Sequence, residues 1–147
     1  MTCIATDGKT MAADGLLMRD DLIVTTARRK LFHAKDGSVV GCAGDGAAIA
    51  LAREWFKSGE PKDTIPVLRG QDFAALILRR DGRVELLDGL FTTYDCEAPA
   101  TLGSGDAFAL GALHAGATPR RAVEIACLTC ATVGGTVRTM KPTKRKP

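Results

Sequence analysis

The chain has 147 residues, of which 46% are hydrophobic, and this is enough for one domain with a substantial core. The formal net charge of +3 comes from the basic last seven residues, KPTKRKP, so the body before them is nearly neutral. A neutral body with one tryptophan and one tyrosine argues against a nucleic-acid-binding surface. No apolar run approaches the roughly 18 residues that cross a bilayer, and no signal-peptide pattern is present, so we expect a cytoplasmic protein with no membrane partner.

Three Asp-Gly dipeptides predict hairpins in the first two thirds of the chain, because both residues tolerate the positive φ of a tight turn. They join TCIAT to KTMAA, KLFHAK to SVVGCAG, and FAALILRR to VELLDG. The segment AALIL has the continuous apolar character of a strand that is buried on both faces. We therefore expect antiparallel sheets.

Three segments predict helices. DGAAIALAREWFKSG has Asp45 as its N-cap and Gly59 as its stop. GDAFALGALHAG is rich in small residues that allow close packing, and TPRRAVEIACLTCA begins with Thr118 as cap and Pro119 at the first helical position. A last short strand, GGTVRTM, follows. Strands, helix, strands, two helices and a strand indicate an α+β fold with helices laid on antiparallel sheets.

The cysteines fit a reducing compartment. Their number is five, and an odd count is not a disulfide framework. Cys127 and Cys130 form a C-x-x-C, but the chain has no second such pair, and His33 and His114 stand alone. Structural zinc normally needs four ligands, so we interpret the pair as two thiols on one helix face and expect no metal and no cofactor.

Thr2 directly follows the initiator methionine, and removal of Met1 would make it the first residue. A threonine hydroxyl is a weak nucleophile until a base takes its proton, and a free α-amine, with an unperturbed pKa of about 7.7–8.0, is such a base. Small residues are common at this position, so Thr2 alone carries little information.

Taken with Asp14, with Lys30 before KLF, and with the strand-to-helix segments VVGCAGDG and LGSGDAF, the sequence resembles an N-terminal nucleophile hydrolase of the proteasome β-subunit type. It is most similar to the compact bacterial and prophage-encoded members and the simple bacterial ring protease. The similarity extends from Thr2 to Gly135. It implies a four-layer α-β-β-α sandwich of two antiparallel sheets flanked by helices, over residues 1–140. From their basic composition, we expect residues 141–147 to form a disordered tail.

The resemblance also implies a role for each candidate residue. Thr2 would attack the scissile carbonyl of a peptide or protein substrate, with its own amine as base. Lys30 would be a fixed cation beside it and Asp14 would hold Lys30. The backbone N–H of Gly41 would face the oxyanion, and Ser104 would hydrogen-bond the terminal amine. The family also implies a homo-oligomeric ring and leaves an ATPase partner open.

The sequence departs from the family at the end of its last helix, CATVGG. Cys130 occupies the position of an aspartate, and Val133 that of a serine or threonine hydroxyl, which puts efficient catalysis in doubt. One alternative is therefore an inactive, ring-forming structural protein. A second is a ribokinase-like sugar kinase, because GSGDAF also resembles the loop that supplies the catalytic aspartate of those enzymes, here Asp106. Such kinases are about twice as long.

Overall fold

A computed structural model of the chain describes residues 1–66 and 72–144. These residues form three helices: α1 (Gly46–Lys57), α2 (Asp106–His114) and α3 (Pro119–Thr129). They also form eleven strands: β1 (Ile4–Thr6), β2 (Met11–Ala13), β3 (Leu17–Arg19), β4 (Leu22–Thr25), β5 (Leu31–His33), β6 (Val39–Gly44), β7 (Phe73–Leu78), β8 (Val84–Asp88), β9 (Thr93–Cys96), β10 (Ala100–Leu102) and β11 (Arg138–Met140).

The strands form two main sheets and a separate hairpin, all antiparallel. One sheet has the order β10-β1-β2-β11, the other has the order β5-β6-β7-β8-β9, and β3 pairs with β4 alone. The first and last strands of the chain, β1 and β11, thus lie in the same sheet, on either side of β2. This sheet carries the start of the chain, where Thr2 lies.

Three buried clusters show that the elements stack in four layers, as the sequence predicts. Cys3 and Ala5 face α2 and α3, whereas Ile4, between them, faces the second sheet, following the two-residue alternation of a strand. The far side of the second sheet packs on α1 through Phe32, Phe56 and their neighbours. The predicted α-β-β-α sandwich of two antiparallel sheets is therefore confirmed.

The three predicted Asp-Gly hairpins are confirmed as β1–β2, β5–β6 and β7–β8. The Asp7 carboxylate accepts hydrogen bonds from the N–H groups of Lys9 and Thr10, and Gly8 has φ +89°. An aspartate that closes the turn and a glycine that adopts positive φ supply the local chemistry that such a turn needs.

Local chemistry also sets the helix starts. Asp45 accepts from the N–H groups of Ala47 and Ala48, and Thr118 accepts from that of Arg121, with Pro119 at the first helical position. Strand β10 ends at Leu102, in agreement with the strand-to-helix segment LGSGDAF, whereas the sequence does not predict strands β3, β4 and β9. Most of their residues are exposed or only partly buried, so they lack the buried alternation that marks a strand in a sequence.

The predicted disordered tail differs from the structure over its first residues. The Thr143 N–H donates to the Gly37 carbonyl at 3.0 Å, Arg80 Nε donates to the Thr143 carbonyl at 2.9 Å, and His33 Nε2 lies 2.8 Å from the Lys141 carbonyl oxygen. These bonds hold the tail against the β5–β6 and β7–β8 turns. Residues 145–147 lie outside the described part of the chain. Across the described ranges, no helix has the length and apolar character needed to cross a membrane.

Candidate active site

Asp14 follows β2 directly and is buried, and both of its carboxylate oxygens accept hydrogen bonds. Oδ1 accepts from the Cys3 N–H at 3.0 Å, and Oδ2 accepts from the N–H groups of Leu16 and Gly134 at 3.3 and 3.2 Å. Lys30 Nζ completes the set at 2.8 Å from Oδ1. A buried carboxylate is tolerable only with such compensation, so Asp14 is fixed in place.

Lys30 precedes β5 and reaches from the second sheet to the start of the chain. Its side chain is 6% exposed, and Nζ donates to Asp14 Oδ1, to the Met1 carbonyl oxygen at 3.1 Å and to Thr2 Oγ1 at 3.4 Å. Three acceptors account for the three ammonium protons. The result is a cation held against a threonine hydroxyl, where it favours negative charge on that oxygen.

Thr2 is held from the other side by the loop before α2. Its backbone nitrogen donates to Ser104 Oγ at 3.2 Å, and its carbonyl accepts from the Gly105 N–H at 3.3 Å. Gly103 has φ +104°, and a Cβ there would collide with the Thr2 carbonyl, so the loop approaches this closely because residue 103 is glycine. With Met1 attached, the Thr2 nitrogen is an amide; cleavage of the Met1–Thr2 bond would leave an amine in its place.

The family pattern places a hydroxyl at position 133, where this chain has valine, but the neighbouring residue Thr132 brings a hydroxyl to the site. Thr132 Oγ1 lies 3.1 Å from Ser104 Oγ and 3.3 Å from Cys130 Sγ, whereas Val133 is buried in the core against Gly105. α3 ends at Thr129, and Cys130 is already extended at φ −101° and ψ 117°, so helical spacing no longer decides which side chain faces the site. The alignment of the sequence with the family pattern therefore assigns the hydroxyl to position 133, whereas the structure has it at position 132.

Cys130 lies beside Ser104, with Sγ 3.8 Å from the Ser104 carbonyl oxygen, and it does not share a helix face with Cys127 because it lies beyond the helix. The hydrogen bond with the Thr132 hydroxyl lowers the pKa of the Cys130 thiol. Burial has the opposite effect on Cys3, raising the pKa of that thiol to about 12, with a further contribution from the Asp14 charge. Cys130 is thus chemically distinct from the thiols of the interior.

Gly41 does not reach this site. It is buried inside β6 between Leu31 and Leu76, and a Cβ there would lie 2.9 Å from the Ile4 side chain and 3.0 Å from that of Leu31. Its small size serves the packing of the two sheets. Gly44, at the exposed end of the same strand and with φ +120°, lines the pocket that contains Thr2.

The pocket beside Thr2 has a volume of about 240 Å³. It lies between the β3 segment, the residues before β5, and the junction of β6 with α1. Its walls are formed by Met1, Thr2, Leu16, Leu17, Met18, Arg28, Lys30, Cys42, Gly44, Gly46 and Ile49. Thr2, the Lys30 cation and the backbone of Gly44 therefore line one cavity.

A four-layer sandwich with its first strand in a central sheet is the architecture of proteasome-type N-terminal nucleophile hydrolases, and the predicted resemblance is confirmed at the level of the fold. HslV from Trypanosoma brucei is 20% identical and superposes with a TM-score of 0.72 over 96% of this chain and 99% of that one. Thiobacillus denitrificans BPH in complex with epoxomicin is 19% identical, with a TM-score of 0.74 over 98% and 100% of the two chains. A second structure of Thiobacillus denitrificans BPH is 18% identical, with a TM-score of 0.73 over 99% of this chain and 100% of that one.

No family profile matches the chain, and no curated protein matches it significantly. Identities of this size establish the fold, and the chemistry has to be argued from the residues of this chain. The fold gives no support to the sugar-kinase alternative. Asp106, which that alternative needs, begins α2 and does not line the pocket beside Thr2.

Proposed function

We propose that this protein is a threonine-dependent peptidase or amidase in which Thr2, exposed by removal of Met1, is the nucleophile. The observation that carries the proposal is the position of Lys30 Nζ, 3.4 Å from Thr2 Oγ1 and anchored by buried Asp14 at 2.8 Å. Lys30 is the counter-ion of buried Asp14, and its ammonium group also donates to the Met1 carbonyl and to Thr2 Oγ1, so the same side chain carries the charge to the candidate nucleophile.

The chemistry follows from the groups around Thr2. The freed amine takes the proton of Oγ1, and the oxygen attacks the substrate carbonyl carbon to give a tetrahedral oxyanion. The C–N bond breaks, the amine passes its proton to the leaving nitrogen, and an ester to Thr2 remains. Water, deprotonated by the same amine, hydrolyses the ester. Lys30 favours the deprotonated Oγ1 throughout by its charge, and Ser104 orients the amine.

Gly44 is the backbone position that we propose for the oxyanion contact, in place of Gly41. It lies at the end of β6 and lines the pocket with Thr2, whereas Gly41 is enclosed by Ile4 and Leu31. One preorganised N–H donor at an oxyanion is worth roughly 3 kcal/mol of transition-state stabilisation.

Met1 keeps the unprocessed chain inactive in this proposal. Its carbonyl occupies one of the three Lys30 hydrogen bonds, and its residue forms part of the pocket wall. Removal of Met1 would create the amine, release one donor of Lys30 and enlarge the pocket in a single cleavage. The same event therefore supplies the base and opens the site.

We further propose that the chain acts as a homo-oligomeric ring in the cytoplasm, with an ATPase partner left open. The support is the β3–β4 hairpin, where Leu22, Ile23 and Val24 are 72%, 62% and 57% exposed. Three consecutive exposed apolar residues are unusual on a monomer and typical of a contact surface. Light scattering of the purified protein measures the assembly directly.

Intact-mass spectrometry and labelling with an epoxyketone such as epoxomicin test the nucleophile. Protein that has lost Met1 should gain one equivalent of the probe at Thr2, and Thr2→Ser should retain labelling and peptide hydrolysis. Thr2→Ala should lose both, with the melting temperature and assembly unchanged. Processed, assembled wild-type protein that takes up no probe and cleaves no peptide would instead support the inactive structural protein.

A further inference from the structure

The pocket beside Thr2 has an excess of positive charge. Arg28 and Lys30 both line it, and none of the eleven lining residues is acidic. Lys30 is committed to Asp14, so that pair is neutral as a unit. Arg28 makes no ion pair and no side-chain hydrogen bond with residues 1–66 or 72–144, and its guanidinium is the uncompensated charge of the pocket.

Two hydrogen bonds of the Arg28 backbone fix the position from which its side chain extends. The Arg28 N–H donates to the Gly15 carbonyl at 2.9 Å, and the Arg28 carbonyl accepts from Arg138 Nη1 at 3.3 Å. Arg28 is only partly exposed, and a partly desolvated guanidinium pairs with a carboxylate more strongly than a fully exposed one.

No residue that lines the pocket opposes that charge. Burial raises the pKa of Cys42 to about 12, so this wall of the pocket carries a neutral thiol at physiological pH. Asp45 lies between the pocket residues Gly44 and Gly46 but does not line the pocket; its carboxylate accepts from the N–H groups of Ala47 and Ala48 and makes no ion pair with Arg28. The other walls include the apolar side chains of Met18 and Ile49, which suit a methylene stem.

We propose that this pocket receives an acidic side chain, and that Arg28 selects substrates with aspartate or glutamate at the residue whose carbonyl Thr2 attacks. The inference rests on the proposed function and names its substrate class. The pocket adjoins the nucleophile, so the side chain next to the attacked carbonyl is the one that it receives. Its volume is about 240 Å³ with Met1 still in the wall, which leaves room for a single side chain, and loss of Met1 widens it beside Thr2.

Four fluorogenic peptides that differ only at this residue, with Glu, Gln, Leu or Lys, test the proposal on protein that has lost Met1. Glu and Gln are nearly isosteric, so their ratio isolates the charge. We expect kcat/KM for Glu to exceed that for Gln by at least about tenfold, which corresponds to about 1.4 kcal/mol. The Lys peptide should be the poorest substrate, because it adds a like charge.

Arg28→Gln should abolish the preference for Glu over Gln, and Arg28→Glu should transfer the preference to Lys. Arg29→Gln and Arg29→Glu are the matched controls, because Arg29 is exposed and lines a different face from the pocket of Thr2. These variants remove or reverse the same charge outside the pocket, and they should rank the four peptides by kcat/KM as the wild-type protein does. Melting temperatures verify that every variant is folded.

Raising the salt concentration on wild-type protein gives a second measurement that needs no variant, since screening should shrink the Glu-to-Gln ratio. A kcat/KM for the Leu or Lys peptide equal to or above that for the Glu peptide would overturn the assignment of Arg28. So would an unchanged ratio of kcat/KM between the Glu and Gln peptides in Arg28→Gln. Neither result would contradict the proposal that Thr2 is the nucleophile. Processed protein that cleaves none of the four peptides and binds no epoxyketone would overturn the proposed function and this inference together.

Discussion

The thiol of Cys130 lies 3.3 Å from the hydroxyl of Thr132. That hydroxyl lies 3.1 Å from Ser104 Oγ, which in turn accepts from the Thr2 nitrogen at 3.2 Å. Four groups from the start of the chain, the loop before α2 and the segment after α3 thus form one hydrogen-bonded series. In the proposed enzyme this series orients the terminal amine, and the Cys130 sulfur stands at its far end, at the position of an aspartate in the family pattern that the sequence resembles.

Thr132→Val removes the middle of this series while preserving the shape of the side chain. We expect peptide hydrolysis to fall about ten- to a hundredfold, by analogy with the loss of other outer hydrogen-bond partners. The melting temperature should change little, since one partly exposed hydrogen bond contributes about 1 kcal/mol. Thr129→Val is the control, because among the described residues the Thr129 hydroxyl bonds only within its own helix, to the carbonyls of Ile125 and Ala126. Equal activities in the two variants would exclude a role for Thr132.

Cys130→Asp should raise activity, because a carboxylate is a stronger acceptor than a thiol for the Thr132 hydroxyl. Val133→Ser, the change that the family pattern suggests as its companion, should add no activity. Val133 is buried, and replacing its methyl groups with a hydroxyl should lower the free energy of unfolding by about 1–3 kcal/mol. Turnover and melting temperature of both single variants and the double variant check this. A gain that requires Val133→Ser would contradict the position assigned to Thr132.

Cys130 should be the most readily alkylated thiol of the native protein. The Thr132 hydrogen bond stabilises the thiolate, which lowers the pKa, and the thiolate is the form that reacts. Its reaction with iodoacetamide should therefore reach half its limiting rate at a lower pH than that of Cys96, whose pKa burial raises. Thr132→Val should move the Cys130 midpoint to higher pH. Peptide mapping by mass spectrometry resolves the sites, and a Cys130 midpoint at or above that of Cys96 would refute the expectation.

Gly41→Ala should destabilise the fold without removing the chemistry. The added methyl would press on Ile4 and Leu31, and overpacking of this kind costs about 1–3 kcal/mol. We expect the melting temperature to fall by several degrees, with activity per folded molecule retained. Gly111→Ala is the control, since Gly111 lies in α2, does not line the pocket of Thr2, and a Cβ there meets none of the described atoms within 4 Å. Loss of activity in folded Gly41→Ala would return the oxyanion role to that residue.

Lys30→Met should abolish hydrolysis and also lower stability. The methionine keeps the apolar stem but leaves the Asp14 carboxylate buried without its counter-ion, and breaking a buried pair typically costs about 3–5 kcal/mol. The three backbone donors to Asp14 should keep the loss near the lower figure. Arg29→Met, at the adjacent exposed position, should alter neither property. Retained turnover in folded Lys30→Met would show that the hydroxyl does not depend on the cation.

The features that the sequence predicts well are those decided by neighbouring residues. Turns at Asp7-Gly8 and its two counterparts, and the caps at Asp45 and Thr118, depend on bonds that span two to four positions. Thr2, Asp14, Lys30 and Ser104 were singled out by a family resemblance, and the structure brings these four together. Their catalytic roles stay predictions.

The features that the sequence misses depend on contacts between distant segments. Gly41 and Gly44 are alike in sequence, and only the position of Gly41 between Ile4 and Leu31 shows which one is structural. Because the chain is no longer helical at Cys130, Thr132 faces the site and Val133 faces the core, the reverse of what the family pattern predicts. Leu22 in β4 is apolar but exposed, so hydrophobicity gives no guide to its strand.

The bond from the Gly134 N–H to Asp14 Oδ2 joins groups 120 positions apart, and the bond from Thr2 to Ser104 joins groups 102 apart. Contacts this distant in sequence form late, because a long loop must be closed before they stabilise anything. During synthesis, a ribosome has to complete nearly the whole chain before Asp14 gains its last backbone donor. A truncated or half-folded product thus lacks an ordered lysine and threonine, and the proposed hydrolytic site cannot exist apart from the finished sandwich that surrounds it.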